Sequence, residues 1–304
     1  MIQTVTGSIQ PSELGVCSVH EHLCIDLSRV KKDPDTVLDD PEGMRLELEL
    51  FRRAGGQAIV EVTNEGMGRN VTLLRQLSQQ TNVHIIASTG FYKDPFLPDK
   101  TIGWEADDFA AHITGEVVNG IDDSGIYPGI IGEVGSSRGE IKPIEEALLT
   151  GAALAAKATG LPVTTHTTLG TMAMAQVELF QRLDLPMTQV IIGHQDLNGD
   201  EGEVLAVAEA GAYVGFDTIG KTNYRSDEER LRTLLSLWER GYGEQILLSA
   251  DLTRKSHWEQ HGGSGYSLVL RSFVPKLRQA GLTEGDVHQL LVDNPARALN
   301  RKGD

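Results

Sequence analysis

The chain has 304 residues, and its 27 Lys and Arg against 43 Asp and Glu give a formal net charge of -16. That balance argues against nucleic acid or an anionic membrane as a partner, because both are held by a positive surface stripe. The length suffices for a large core, either as one big α/β barrel or as two ordinary domains.

The opening stretch MIQTVTGSIQPSELG lacks the basic start and apolar core of a signal peptide, and no apolar run reaches the roughly 18 residues of a transmembrane helix. A cytoplasmic location is therefore expected. The first β-rich run, VCSVHEHL (16 to 23), carries His20 and His22. Residues i and i+2 of a strand point to one face, so the two imidazoles project together. Cys17 and Cys24 lie seven positions apart in the same segment, beyond disulfide reach at about 3.3 Å per residue, and read as packing residues.

An excursion over 24 to 57 holds a loop and the helical stretch PEGMRLELELFRRAG. Further β-rich runs are AIVEVTN (58 to 64), HIIASTGFY (84 to 92), PGIIGEVGS (128 to 136), PVTTHTT (162 to 168), QVIIGHQD (189 to 196), AYVGFDTIG (212 to 220) and QILLSADL (245 to 252). Helical spacing fills the gaps, as in IEEALLTGAALAAKATG (144 to 160), whose closing Gly suits a C-terminal cap. Eight strand and helix units with near-continuous apolar strands predict a closed parallel (β/α)8 TIM barrel. The first strand lacks the Gly-rich phosphate turn that an open dinucleotide-binding sheet would place there. No linker or low-complexity tract divides the chain, so one domain over 1 to 304 is expected.

Working residues of such barrels sit at the C-terminal ends of strands. His20 and His22 close the first run, Glu133 the fourth, His166 the fifth, His194 the sixth and Asp251 the eighth. Any one of these, taken singly, reads as a cap or a satisfied loop residue. Together they converge as imidazoles and carboxylates without a thiolate, the donor set of a hydrolytic site for Zn2+, Mn2+ or a similar ion. Six ligands exceed one four-coordinate ion with an open position, whereas two ions about 3.5 to 4 Å apart with a bridging carboxylate use them all.

VHEHL, GEVG, VTTHT, IIGHQD and LSAD, in that order, resemble the phosphotriesterase family of the amidohydrolase superfamily. EVTNEGMGRN (61 to 70), GFDTIGK (215 to 221) and ADLTRKSH (250 to 257) are most similar to its phosphotriesterase homology protein subgroup. The resemblance implies that His20, His22 and Asp251 hold the more buried ion, that His166 and His194 hold the more exposed one, and that Glu133 bridges both. Phosphotriesterases proper use a carboxylated lysine as the bridge, and a glutamate needs no CO2 to assemble. A bridging hydroxide would then be the nucleophile, with Asp251 taking the proton and passing it towards the leaving group.

Tyr92 matches the position where lactonases of this family carry a tyrosine at the leaving or carbonyl oxygen, and it reads equally as an aromatic wall. Acyl-homoserine lactonases of the family have arginine in the segment after strand seven where this chain has Thr218, which weakens that substrate. Lys221, Arg225, Arg254 and Lys255, with His257 beside them and Arg69 after the second run, read either as solvated surface or as an anion pocket at the usual phosphate seat of such barrels. His84, His112 and His288 are given no role, and His261 lines the mouth or a loop.

The expected activity is hydrolysis of a small lactone or carboxylic ester, phosphorylated or otherwise anionic. An amide hydrolase or deaminase and a non-catalytic ligand-binding barrel are the alternatives. A homodimer is compatible with such barrels, but no residue pattern requires one.

Overall fold

The computed structural model describes residues 1 to 302. Its main sheet contains eight parallel strands in sequential order: β1 Cys17–Glu21, β2 Ala58–Glu61, β3 His84–Thr89, β4 Ile130–Ser136, β5 Val163–Thr167, β6 Val190–Ile192, β7 Tyr213–Phe216 and β8 Ile246–Leu248. Each lies inside one of the eight predicted runs. Helices alternate with them, among them Pro41–Arg53 and Pro143–Thr159. Gly160 ends the second of these in the left-handed conformation at φ 74°, as its position predicts.

Side chains rather than a backbone ladder join β8 to β1. Ser249 Oγ lies 3.0 Å from the His20 amide and 2.7 Å from the His20 carbonyl, and the Asp251 amide donates to the same carbonyl at 3.3 Å. Glu21, between the two histidines and wholly buried, completes the seam. Its carboxylate accepts from Ser18 Oγ and Ser249 Oγ at 2.8 Å and from the amides of Ala250 and Leu252 at 2.9 Å.

The strands are nearly continuous in apolar residues because both faces are covered. Val19, Val60, Ile86, Ile130, Ile191 and Leu247 belong to an inner cluster that takes residues from every strand except β5. Ile2, Leu14, Ala298 and Leu299 close it. Ile59, Ile85, Ile131 and Val163 belong instead to the larger cluster beneath the helices. No helix among the described residues is long and apolar enough to cross a membrane.

Strands β6 to β8 are shorter than the predicted runs. The chain leaves the ladder before its functional side chains: His194 at φ 57° and Asp251 at φ 50° are left-handed, a conformation L-residues adopt sparingly and which clusters at working sites. His22 likewise lies one residue past β1, after a register shift between Ser18 and Glu21.

Candidate metal centre

Glu133 stands at the middle of the cluster. Its Oε2 is 3.4 Å from His20 Nε2, 3.2 Å from His166 Nδ1 and 3.7 Å from His194 Nε2, and its Oε1 is 3.4 Å from His22 Nε2. Asp251 Oδ1 approaches His22 Nε2 at 3.2 Å and His20 Nε2 at 3.9 Å. The residues therefore form two groups that share one carboxylate: His20, His22 and Glu133, and Glu133, His166 and His194.

Two glycines allow this approach. A Cβ at Gly132 would lie 2.1 Å from the Thr164 carbonyl, and one at Gly193 would lie 2.2 Å from the Thr165 carbonyl. Each glycine directly precedes a member of the cluster, so the backbones of β4 and β6 press against β5 just before Glu133 and His194 emerge.

A divalent cation fits this donor set. Nε2 of buried His20 has no hydrogen-bond partner, and its Nδ1 has only the Asp217 carboxylate facing it at 3.5 Å without a hydrogen bond, although unpaired buried polar atoms are costly and uncommon. His166 Nδ1 and His194 Nε2 face each other at 2.8 Å. Burial alone would raise the carboxyl of Glu133, yet the surrounding imidazoles of His20, His166 and His194 hold it well below the usual range. Burial likewise works against Asp251, and Lys221, His22 and His194 outweigh it. His166, which has the most exposed side chain of the four imidazoles at 13%, is brought to about 4 by burial and the neighbouring His194. His22 and His194 go the other way: burial lowers them, but Asp251 and Glu133 raise His22 to about 10, and Asp217 and Glu133 raise His194 well above its ordinary value. A cation binding there displaces protons, since neutral imidazoles and ionised carboxylates are the forms that ligate metals.

The outer nitrogens are also held. His22 Nδ1 lies 2.8 Å from Thr63 Oγ1, and His166 Nε2 lies 3.1 Å from Thr168 Oγ1. Asp217 touches two rings, with Oδ1 2.8 Å from His194 Nδ1 and Oδ2 3.5 Å from His20 Nδ1. Sequence reading missed Asp217 although it carries the same signature as the others, a polar residue closing the apolar run YVGF.

Tyr92 places its hydroxyl 3.2 Å from the His166 ring nitrogens, which puts it at the edge of the centre. Of the six basic or histidine residues considered for an anion pocket, the structure brings only Lys221 and His257 to one cavity, of about 220 Å³, floored by Ile219, Ala250, Leu252 and Leu268. Lys221 also pairs with Asp251 Oδ2. The other four are engaged in holding the fold. The Arg69 side chain is buried and donates two hydrogen bonds to Glu116, with Asp122 at 3.2 Å. Arg225 donates to the carbonyls of Asp196 and Asn198, Arg254 pairs with Asp33 at 2.6 Å, and Lys255 pairs with Asp39 at 2.6 Å.

Thr218 is buried, donating to Asp196 Oδ2 at 2.6 Å. His84 begins β3 at the opposite end of the barrel, and His112 faces Glu65 at 3.1 Å. His261 stacks on Trp258, and His288 is exposed beside Asp293. Cys17 and Cys24 are buried and unpaired. Residues 135 to 139 spell G-x-S-x-G, but Ser137 is no nucleophile elbow: its hydroxyl donates to Glu145 Oε1 at 2.7 Å and its amide to Oε2 at 3.0 Å.

Fold and site together define a (β/α)8 barrel with a candidate binuclear metal centre at the C-terminal mouth. The chain belongs to the phosphotriesterase family, whose model matches residues 1 to 299. It is 38% identical over 283 residues to the phosphotriesterase homology protein of Escherichia coli, covering 93% of this chain and 97% of that protein. A crystal structure of that protein, complexed with phosphate in its active site, covers 95% of this chain and 99% of its own, with a TM-score of 0.92. The N-acetyltaurine hydrolase of Danio rerio is 31% identical, covering 99% of this chain and 98% of that protein. A lactonase from Listeria monocytogenes is 30% identical, with a TM-score of 0.94 and 99% of each chain covered.

Proposed function

We propose that the protein is a binuclear metal-dependent hydrolase of a small lactone or carboxylic ester that carries a negative charge. The observation that carries this reading is Glu133, whose two oxygens lie within 3.7 Å of four imidazole nitrogens on three different strand ends. His20, His22 and Asp251 would hold one ion and His166 and His194 the other, with Glu133 shared between them. Bound there, two divalent ions, Zn2+ foremost by the donor set, would make hydroxide available from water at neutral pH and polarise the substrate oxygen.

The chain's own residues supply the rest. Asp251 pairs through Oδ2 with Lys221, which lines the cavity, and would take a proton from the attacking water and pass it to the leaving oxygen. The Tyr92 hydroxyl, beside His166, would donate to the substrate oxygen. Lys221 and His257 meet the substrate's anionic group, and Ile219, Leu252 and Leu268 keep water from its apolar part. The lactonase from Listeria supports the carbonyl substrate, and the phosphate in the active site of the Escherichia coli relative supports an anion near the centre.

A second reading, hydrolysis of a small amide, is favoured by the name of the Danio rerio relative. Turnover of a neutral aryl ester, a phosphorylated lactone and an N-acetylated amino acid by metal-loaded protein decides between them. The lactone or ester is expected to turn over and a chelator to abolish it. Turnover of the amide alone would favour the second reading, and turnover indifferent to the chelator would overturn both.

A further inference from the structure

The outer nitrogens of the four imidazoles follow a pattern. His22 rests on Thr63 and His166 on Thr168, each with its own hydroxyl. His20 and His194 instead share one carboxylate, Asp217, although they belong to different groups of the centre. Each of these two rings is thus flanked on both sides, by Glu133 at Nε2 and by Asp217 at Nδ1, with a hydrogen bond to His194 and a longer 3.5 Å charge contact to His20 that a ligated, Nδ1-protonated His20 would close.

Asp217 is itself fixed. It is buried at the end of β7, and its Oδ1 also accepts the His194 amide at 2.9 Å. A Cβ at Gly215 would come within 2.5 Å of its Oδ2, so glycine leaves the room in which the carboxylate lies. The adjacent acid, Asp196, pairs with Arg230 Nε at 2.7 Å and accepts from the Thr218 hydroxyl, so Asp217 turns to the imidazoles.

We propose that Asp217 is a positioning residue common to both metal sites, holding His20 and His194 in the tautomer that presents Nε2 to the centre. It orients the two rings through one rigid group, so losing it weakens both sites at once. A carboxylate behind a ligating imidazole fixes its tautomer and direction, and its removal typically costs ten- to a hundredfold in metal affinity. This rests on the binuclear reading of the site and is independent of the substrate.

The test is a calorimetric titration of chelator-stripped protein with Zn2+. The wild type is expected to take two equivalents. Asp217→Asn should weaken both binding events by about ten- to a hundredfold, with the melting temperature of the metal-free protein little changed. Thr63→Val, which removes a contact to His22 alone among the four rings, should weaken only one. Two equivalents with Asp217→Asn weakening one event or neither would overturn the inference and leave the binuclear reading standing. Fewer than two equivalents in the wild type would overturn both. If Asp217→Asn does not fold, long-range proton–nitrogen NMR of Zn-loaded wild type serves instead. His20 and His194 should both carry their proton on Nδ1, and a His20 protonated on Nε2 would contradict the assignment.

Discussion

Lys221, in the loop after β7, donates its ammonium to Oδ2 of Asp251, while the other oxygen of Asp251 faces His22 at 3.2 Å. One carboxylate thus joins the charged edge of the cavity to the candidate centre. Lys221→Met should raise KM for a carboxylated ester by about ten- to a hundredfold, the worth of a charge-assisted hydrogen bond, and raise KM for a neutral aryl ester far less. Arg254→Met, which removes only the exposed pairing with Asp33 and Asp35, should leave both within about twofold. Equal effects of Lys221→Met on the two esters would show that this lysine does not meet the substrate's charge.

The order of the barrel and the residues gathered at its candidate centre were legible because five of the eight apolar runs end on an imidazole or carboxylate expected there. The runs AIVEVTN and QVIIGHQD give their strands directly, and only the exact exit point was hidden, since left-handed turns at His194 and Asp251 leave no local signal apart from the preceding Gly193. The fate of the basic residues was not legible. Arg254 meets Asp33 and Lys255 meets Asp39 across more than 200 positions of sequence, pairings that only the folded chain creates. The same holds for Glu21, which lies between two histidines of the centre yet works outside it, as a seam between first and last strands.

That seam predicts a stability effect distinct from metal binding. Glu21→Ala would leave the buried amides of Ala250 and Leu252 without acceptors, at about 1 to 3 kcal/mol each. Urea denaturation of the metal-free protein should show a loss of several kcal/mol or failure to fold, with Glu21→Gln milder because its amide oxygen still accepts. A Glu21→Ala variant as stable as the wild type would mean that β1 and β8 are held by other contacts.

Glu65 gives a pH prediction away from the centre. Burial opposes its ionisation, but His112 and Lys100 outweigh it and bring the carboxyl to about 2. A carboxyl lowered in the folded state stabilises above its unfolded value near 4.5, and that contribution fades as pH falls towards 2. Between pH 6 and pH 3 the wild type should therefore lose more stability than Glu65→Gln, by about 1 kcal/mol once solvent screening of this half-buried group is allowed for. Parallel denaturation curves for the two proteins would show that the pairs add nothing.

The shared role of Glu133 is tested most directly by metal analysis of purified wild type and Glu133→Ala, with ester or lactone turnover measured on the same samples. Loss of the bridge should reduce about two ions per chain to one or fewer and abolish turnover, while the fold persists by circular dichroism. One ion or none in the wild type, or turnover indifferent to Glu133, would contradict a binuclear centre built around this carboxylate.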